Sequence, residues 1–206
     1  MAARLITIEG IDGAGKTTLA AALREALLAR GIDAVALREP GGVALAERIR
    51  SLVKDPGLEI DDRAEALLYA ASRAQLVAER AQPELAAGRW VLLDRYIDSS
   101  LAYQGAGRGL GVEAVRAINE FATGGLAADR TLLLAIDAAA GRRRRGDRGE
   151  GADRLERETD EFFTRIAAGY AALAAAHPQR IRTLDATLAP AALLAAALAE
   201  LADLLE

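Results

Sequence analysis

Cysteine is absent from this 206-residue chain, and histidine, methionine and tryptophan occur once each. Disulfides and thiolate metal centres are therefore excluded, and the lone His177, beside Pro178, cannot build a histidine metal site. Any metal must be held by oxygen. Aromatics make up only 4% of the residues; alanine, leucine and arginine abound instead, a bias that favours helix and carries little functional weight. No apolar run reaches bilayer-spanning length and the first residues lack a signal-peptide core, which predicts a soluble cytoplasmic protein without membrane contact. A net charge of −4 lacks the basic footprint of a nucleic-acid-binding protein. The length suits a single α/β domain over residues 1–206.

Lysine is scarce as well: of 26 basic residues, only Lys16 and Lys54 are not arginine. The first completes Gly10-Ile11-Asp12-Gly13-Ala14-Gly15-Lys16-Thr17, the G-x-x-x-x-G-K-T spacing of a phosphate-binding loop, followed by Thr18. Its flanks suit that loop. Arg4–Ile8 reads as a short buried strand and Lys16–Arg30 as a helix. The glycines allow backbone N–H groups to curl inward, and the N-terminal end of the helix dipole adds to that anion site. A compact ammonium fits between β- and γ-phosphate oxygens where a guanidinium is too broad. The loop predicts a nucleoside-triphosphate ligand.

Apolar strand-like runs recur at 5–8, 34–37, 90–93, 132–136 and 181–184, with helical stretches between them. This alternation predicts an α/β fold with a five-stranded parallel sheet and helices on both faces, its ligands at the carboxyl ends of the strands. Helices are expected over 45–53, from a cap at Asp61 or Asp62 to about Ala87 with Pro83 in its last turns, over 111–121, from about Asp153 to Ala176, and from Pro190 onward with Leu194, Leu198, Leu201 and Leu205 at helical spacing. Between the fourth strand and Asp153 lies Arg142-Arg143-Arg144-Arg145-Gly146-Asp147-Arg148-Gly149-Glu150-Gly151, which has no apolar stripe and cannot be core.

A phosphate loop alone does not separate kinases from GTPases and other ATPases. Guanine recognition through N-K-x-D is excluded, because the single asparagine, Asn119, is followed by Glu-Phe-Ala. Two further segments narrow the choice: Arg38-Glu39-Pro40-Gly41-Gly42 after the second strand, and Asp94-Arg95-Tyr96-Ile97-Asp98-Ser99-Ser100-Leu101-Ala102-Tyr103-Gln104-Gly105 after the third. Together with Ile8 through Thr18 they closely resemble the thymidylate kinase family, over essentially the whole chain. The resemblance implies a nucleoside monophosphate kinase fold with an Arg-rich lid at about 141–153. It implies transfer of the γ-phosphoryl group of ATP to dTMP, with Mg²⁺, and a homodimer to which Leu67, Leu68 and Leu76 are candidate contributors.

Under that resemblance each residue has a chemical task. Lys16 holds the β- and γ-phosphates; the Thr17 hydroxyl ligates Mg²⁺; Asp94 orients that ion or its waters. Arg95 and Arg38 clamp the acceptor monophosphate with planar forks, beside Pro40 and Ser99. Tyr69 and Arg73, four apart on one helical face, meet the base by stacking and by hydrogen bonding. Ser100 and Gln104 match the family's pyrimidine contacts, and Tyr103 fills the space of a ribose 2′-OH. Asp12 matches an acidic residue near the sugar and the metal. The loop holds no arginine, so the lid is expected to supply one to the transferring group, Arg148 first and Arg143 second. Arg142 would flank adenine, facing Asp185-Ala186-Thr187, and Asp153 and Glu156 would shape the nucleoside pocket. Two other functions are consistent with the loop: another nucleotide or nucleoside kinase, or an ATP-dependent switch whose arginine segment binds a partner.

Overall fold

The computed structural model describes residues 2–137, 140, 141, 143, 144 and 153–205. Five strands, β1 (Leu5–Glu9), β2 (Ala34–Arg38), β3 (Trp90–Asp94), β4 (Arg130–Ala135) and β5 (Ile181–Asp185), form one parallel sheet in the order β2-β3-β1-β4-β5. All five occur where the apolar runs predict them, within one or two residues at each end. The central strands β1 and β3 are buried along their whole length, whereas β2 and β5, at the edges, alternate in exposure. Continuous apolar runs are what a strand covered on both faces requires.

Side-chain alternation divides the core into two layers. On one face Ile6, Ile8, Leu92, Leu132 and Leu134 pack against α1 (Lys16–Leu28) and the C-terminal helix with its following turn, through Leu19, Leu23, Leu193 and Leu201. On the other, Leu5, Val91 and Leu93 meet Leu76, Val77 and Tyr96, and Leu133 meets Phe162, Ile166 and Tyr170. Truncating any of the fully buried leucines to alanine removes about 2–5 kcal/mol.

The helices on the second face are α2 (Ala44–Lys54), α3 (Asp62–Leu76), α4 (Gln82–Ala86), α5 (Ile97–Ser100), α6 (Val112–Thr123) and α7 (Asp160–Ala176); α8 (Pro190–Ala199) closes the first face. Asp61 caps α3, accepting a hydrogen bond from the Arg63 N–H at 3.0 Å. Pro83 neither ends nor sharply breaks the helical path. A π-helical turn, Val77–Ala81, precedes it, with the Gln82 N–H bonded five residues back to Val77, and the path continues to Ala86. Widening the turn accommodates a residue that has no N–H to donate.

Two helix starts and ends depart from the sequence pattern. The expected helix from Asp153 begins only at Asp160, because Thr159 takes the N-cap with its hydroxyl accepting from Phe162 N–H, and Asp160 and Glu161 occupy the first turn. Asp153 and Glu156 instead bond reciprocally to each other's backbone N–H at 3.0 Å, closing a short 3₁₀ turn at Leu155–Arg157. α8 stops at Ala199, so Leu201 and Leu205 pack from the turn that follows. Leu76 belongs to the protein's own core and is fully buried, which removes it as an intersubunit contact. No described helix is long and apolar enough to cross a membrane.

Candidate active site

Parallel pairing aligns the carboxyl ends of β1, β2 and β3, with Asp94 in register with both Ile8 and Arg38. The phosphate loop leaves β1 at the centre of the sheet, where the order of connections reverses, the usual ligand position in such sheets. Two of its glycines leave no room for a side chain. Gly10 has φ 133°, and a Cβ there would lie 2.5 Å from the Leu134 carbonyl oxygen; one on Gly13 would strike the Gly141 carbonyl. Lys16 opens α1 and is 7% exposed, its ammonium donating to the Ile11 carbonyl at 2.9 Å and lying 3.9 Å from Asp12 Oδ1. Burial, with the nearby Arg95 charge, pushes the Lys16 pKa down to about 8, against the pull of Asp12 and Asp94. A cation so poorly compensated gains most from a phosphate oxygen. One residue on, the Thr17 hydroxyl donates to Asp94 Oδ2 at 2.5 Å.

Arg95, immediately after β3, adopts a left-handed backbone conformation with φ 72°, uncommon for a residue with a Cβ. Its guanidinium is held on all sides: Nη1 donates to Ser99 Oγ at 3.0 Å, and Nη2 to Asp12 Oδ1 at 2.7 Å and to the Tyr103 hydroxyl at 3.2 Å, with Cζ 5.0 Å from the Tyr103 ring centroid. Burial would raise the Asp12 pKa, but Arg95 and Lys16 outweigh it and hold the carboxyl well below the usual carboxylate range.

Behind Arg95 sits Glu9, the last residue of β1 and fully buried. It accepts the backbone N–H groups of Tyr96 (2.7 Å) and Ser99 (3.2 Å), the Ser99 hydroxyl (2.5 Å) and the Tyr170 hydroxyl (3.0 Å), so it fixes the start of α5 and through it the Arg95 backbone. Burial and the neighbouring Asp98 raise the Glu9 pKa to about 7. Asp98 is itself clasped by Arg180, which donates at 2.6 and 2.9 Å.

Further along the cavity, Tyr69 and Arg73 line one wall and Ser100, Tyr103 and Gln104 another. The spacing of four between Tyr69 and Arg73 does place both on the cavity side of α3. Arg73 is 2% exposed, and four of its five N–H groups are engaged: Nε with Glu39 at 2.7 Å, Nη1 with Ser100 Oγ at 3.0 Å and with Asn119 Oδ1, Nη2 with the Tyr96 carbonyl at 2.8 Å. One Nη2 N–H remains. Burial lifts the Tyr69 hydroxyl well above the ordinary tyrosine range, so it stays neutral.

The family model for thymidylate kinase matches residues 8–196. Thymidylate kinases of Deinococcus radiodurans and Rhizorhabdus wittichii are 51% and 45% identical to this chain, the first over 88% of each chain and the second over 100% of both. A crystal structure of thymidylate kinase from Ehrlichia chaffeensis superposes with a TM-score of 0.73 at 30% identity, covering 89% of this chain and 93% of its own. The chain belongs to the thymidylate kinase family.

Most residues that the thymidylate kinase resemblance singles out converge on one cavity: Asp12 and Lys16 through Thr18 at one end, Arg38, Pro40, Asp94, Arg95 and Ser99 in the middle, and the base-side group at the other. Asp153 and Glu156 line it as well. Arg38 also pairs with Glu47 at 2.8 Å. Asp185, the last residue of β5, and Ala186 and Thr187 after it lie outside that cavity; the Asp185 carboxylate caps the Thr187 N–H at 2.8 Å and Arg144 donates to the Ala186 carbonyl at 2.7 Å. Arg143 is exposed; Arg142 and Arg148, with most of the expected lid, lie outside the described residues.

Several residues at or behind this cavity escaped the sequence pattern. Glu39 pairs with Arg73, Arg50 donates to the Pro40 carbonyl at 2.9 Å from a position on the cavity wall, and Lys54 bridges to Asp153 at 2.8 Å. Glu9 and Glu65, both fully buried, support the site from behind. A glutamate ending an otherwise apolar strand is itself a signal, since such charges are rarely buried without a partner.

Proposed function

We propose that the chain is a cytoplasmic, Mg²⁺-assisted ATP:dTMP phosphotransferase that produces dTDP and ADP. The observation that carries this reading is the shared cavity. Lys16, on the triphosphate loop, and Arg95, on the acceptor side, are joined through one carboxylate, Asp12, at 3.9 and 2.7 Å. A donor triphosphate and an acceptor monophosphate entering from opposite ends would meet between them.

The reaction needs positioning and charge neutralisation more than covalent chemistry. Backbone N–H groups of Ile11 through Thr18 and the Lys16 ammonium bind the donor's β- and γ-phosphates. Arg95, backed by Arg38, holds the acceptor monophosphate so that one of its oxygens faces the γ-phosphorus. As that oxygen forms its bond to phosphorus, the bond to the β-phosphate oxygen breaks and its electron pair leaves with ADP. Tyr69 stacks on the thymine, and the remaining Arg73 N–H donates to the base's carbonyl oxygen. Tyr103 closes the space beside C2′.

The Thr17 hydroxyl and the Asp94 carboxylate, 2.5 Å apart, suit a small oxygen-seeking cation that takes its other ligands from phosphates and water. When bound, Mg²⁺ neutralises phosphate oxygens and orients them. Asp12, whose two oxygens accept from Arg95 and Tyr103, would add negative charge beside that ion.

Arg148, or Arg143 in its place, would reach the transferring group from the lid, and Arg142 would flank adenine. Arg144 on the Ala186 carbonyl supports an adenine site between the lid's start and the loop after β5. A homodimer through α2, α3 and α6 is supported by Leu67 and Phe121, 56% and 91% exposed on adjacent helices. The test is ADP release measured with ATP and a panel of nucleoside monophosphates, with and without Mg²⁺. Turnover with dTMP should far exceed that with UMP, CMP or AMP and vanish on chelation; equal turnover without dTMP would refute the assignment.

A further inference from the structure

Glu65, on α3, makes no wall of the cavity, yet it touches the residue that does. Its side chain is fully buried and its Oε1 accepts a hydrogen bond from Gln104 Nε2 at 2.8 Å. The same carboxylate accepts from Arg108 (2.9 Å from Nη2 and 3.3 Å from Nε) and from Arg154 Nη2 at 2.5 Å. Burial favours the protonated acid, but the hydrogen bonds from Arg108, Gln104 and Arg154 outweigh it and hold Glu65 below the ordinary carboxylate range.

An ionised carboxylate accepts and cannot donate. Gln104 must therefore turn its NH₂ toward Glu65, which takes one of its two N–H groups, and the acceptor that the amide offers the cavity is its carbonyl oxygen. We infer that Glu65 is a positioning residue for specificity: by fixing the polarity of the Gln104 amide it makes the site accept a base carrying N–H at position 3 and reject one carrying a bare nitrogen there. The inference rests on the proposal that the cavity takes dTMP.

Thymine offers N3–H, which an acceptor satisfies. Cytosine offers N3 with a lone pair, which would face the Gln104 oxygen acceptor to acceptor in a buried site. Such unpaired groups are what polar sites use to discriminate. Arg73 alone, donating toward position 4, would leave position 3 unread. A free amide could reverse and serve either base, so the selectivity lies in the carboxylate behind it.

Glu65→Gln removes the acceptor-only partner and keeps the shape. The ratio of kcat/KM for dTMP over dCMP is expected to fall about tenfold or more, through a gain on dCMP as well as a loss on dTMP. Arg154→Met weakens the same charge cluster without touching the amide, and should leave the ratio within about twofold. In a Gln104→Leu background, Glu65→Gln should no longer change the ratio, since coupled residues lose their effect together. An unchanged ratio in Glu65→Gln, or the same fall in Arg154→Met, overturns the inference. Where Glu65→Gln does not fold, the wild-type protein decides: with dTMP bound and ¹⁵N-labelled Gln104, the amide protons should show NOEs to the Arg108 and Glu65 side chains. Amide protons with no NOE to either side chain, averaged by rotation of a free amide, would overturn it. Wild-type protein with no turnover of dTMP at all would refute the functional reading instead, a separate outcome.

Discussion

Arg95 Nη2 lies 2.7 Å from Asp12 Oδ1, tying the residue after β3 to the phosphate loop after β1. The acceptor clamp is thus aimed by the donor loop before either nucleotide is present. Pre-aiming lowers the ordering cost that binding would otherwise carry.

Asp12→Asn should loosen Arg95 while leaving the loop's backbone intact. We expect kcat/KM for dTMP to fall about 10- to 100-fold, with the affinity for ADP changed less than about threefold. Steady-state kinetics with dTMP varied, together with calorimetric ADP titration, check the split.

Tyr103 is 5% exposed and packs edge-on against Phe162 and Tyr170, with ring centroids 6.4 Å away in each case. A ring so fixed cannot yield to an added hydroxyl. Tyr103→Ala should raise kcat/KM for the ribonucleotide relative to dTMP by about tenfold or more, whereas Tyr103→Phe should keep the wild-type preference. Competition between the two monophosphates in one assay measures the ratio.

The pH dependence of stability follows from Glu9. Its pKa is about 7 in the folded chain against an ordinary 4.5, so between those values the folded state binds more protons than the unfolded one. Stability attributable to this group is present below pH 4.5 and is lost as pH rises through about 7. The charged groups that act on it are Asp98, which Arg180 neutralises, and Arg95, and the neutral Tyr170 hydroxyl donates to it. Glu9→Gln does not titrate there. Chemical denaturation at a series of pH values should show wild type losing on the order of 2 kcal/mol relative to Glu9→Gln between pH 5 and 7.5.

Phe121, 91% exposed near the end of α6, and Leu67 on α3 form the apolar surface proposed for pairing. Phe121→Glu should shift the chain to a monomer in analytical ultracentrifugation without lowering the melting temperature by more than about 2 °C. An unchanged sedimentation coefficient would place any dimer contact elsewhere.

Much of this arrangement was legible in the chain. The strands are apolar runs bounded by turn residues, and G-x-x-x-x-G-K-T fixes its own ends, so β1, the loop and α1 follow from local chemistry. Tyr69 and Arg73, at helical spacing, reach the cavity from one face of α3, whereas Ser100 and Gln104 were legible only through the family resemblance. What the pattern could not carry was long-range pairing. Nothing local to Glu65 announces Gln104, Arg108 and Arg154, which lie 39, 43 and 89 residues away. The start of α7 departs from the pattern because Asp153-x-x-Glu156 has the spacing of a helix cap and is used to close a 3₁₀ turn, while Thr159 caps the helix itself.

The central claim is that one cavity holds two nucleotides and passes the phosphoryl group directly between them. Single-turnover transfer with γ-³²P-labelled ATP and dTMP tests it most directly. The label should appear in dTDP with none retained on the protein, and Lys16→Ala should slow that step by about 10²- to 10³-fold, the usual loss for one electrostatic donor. Label trapped on the protein, or a Lys16→Ala rate near that of wild type, would contradict the account.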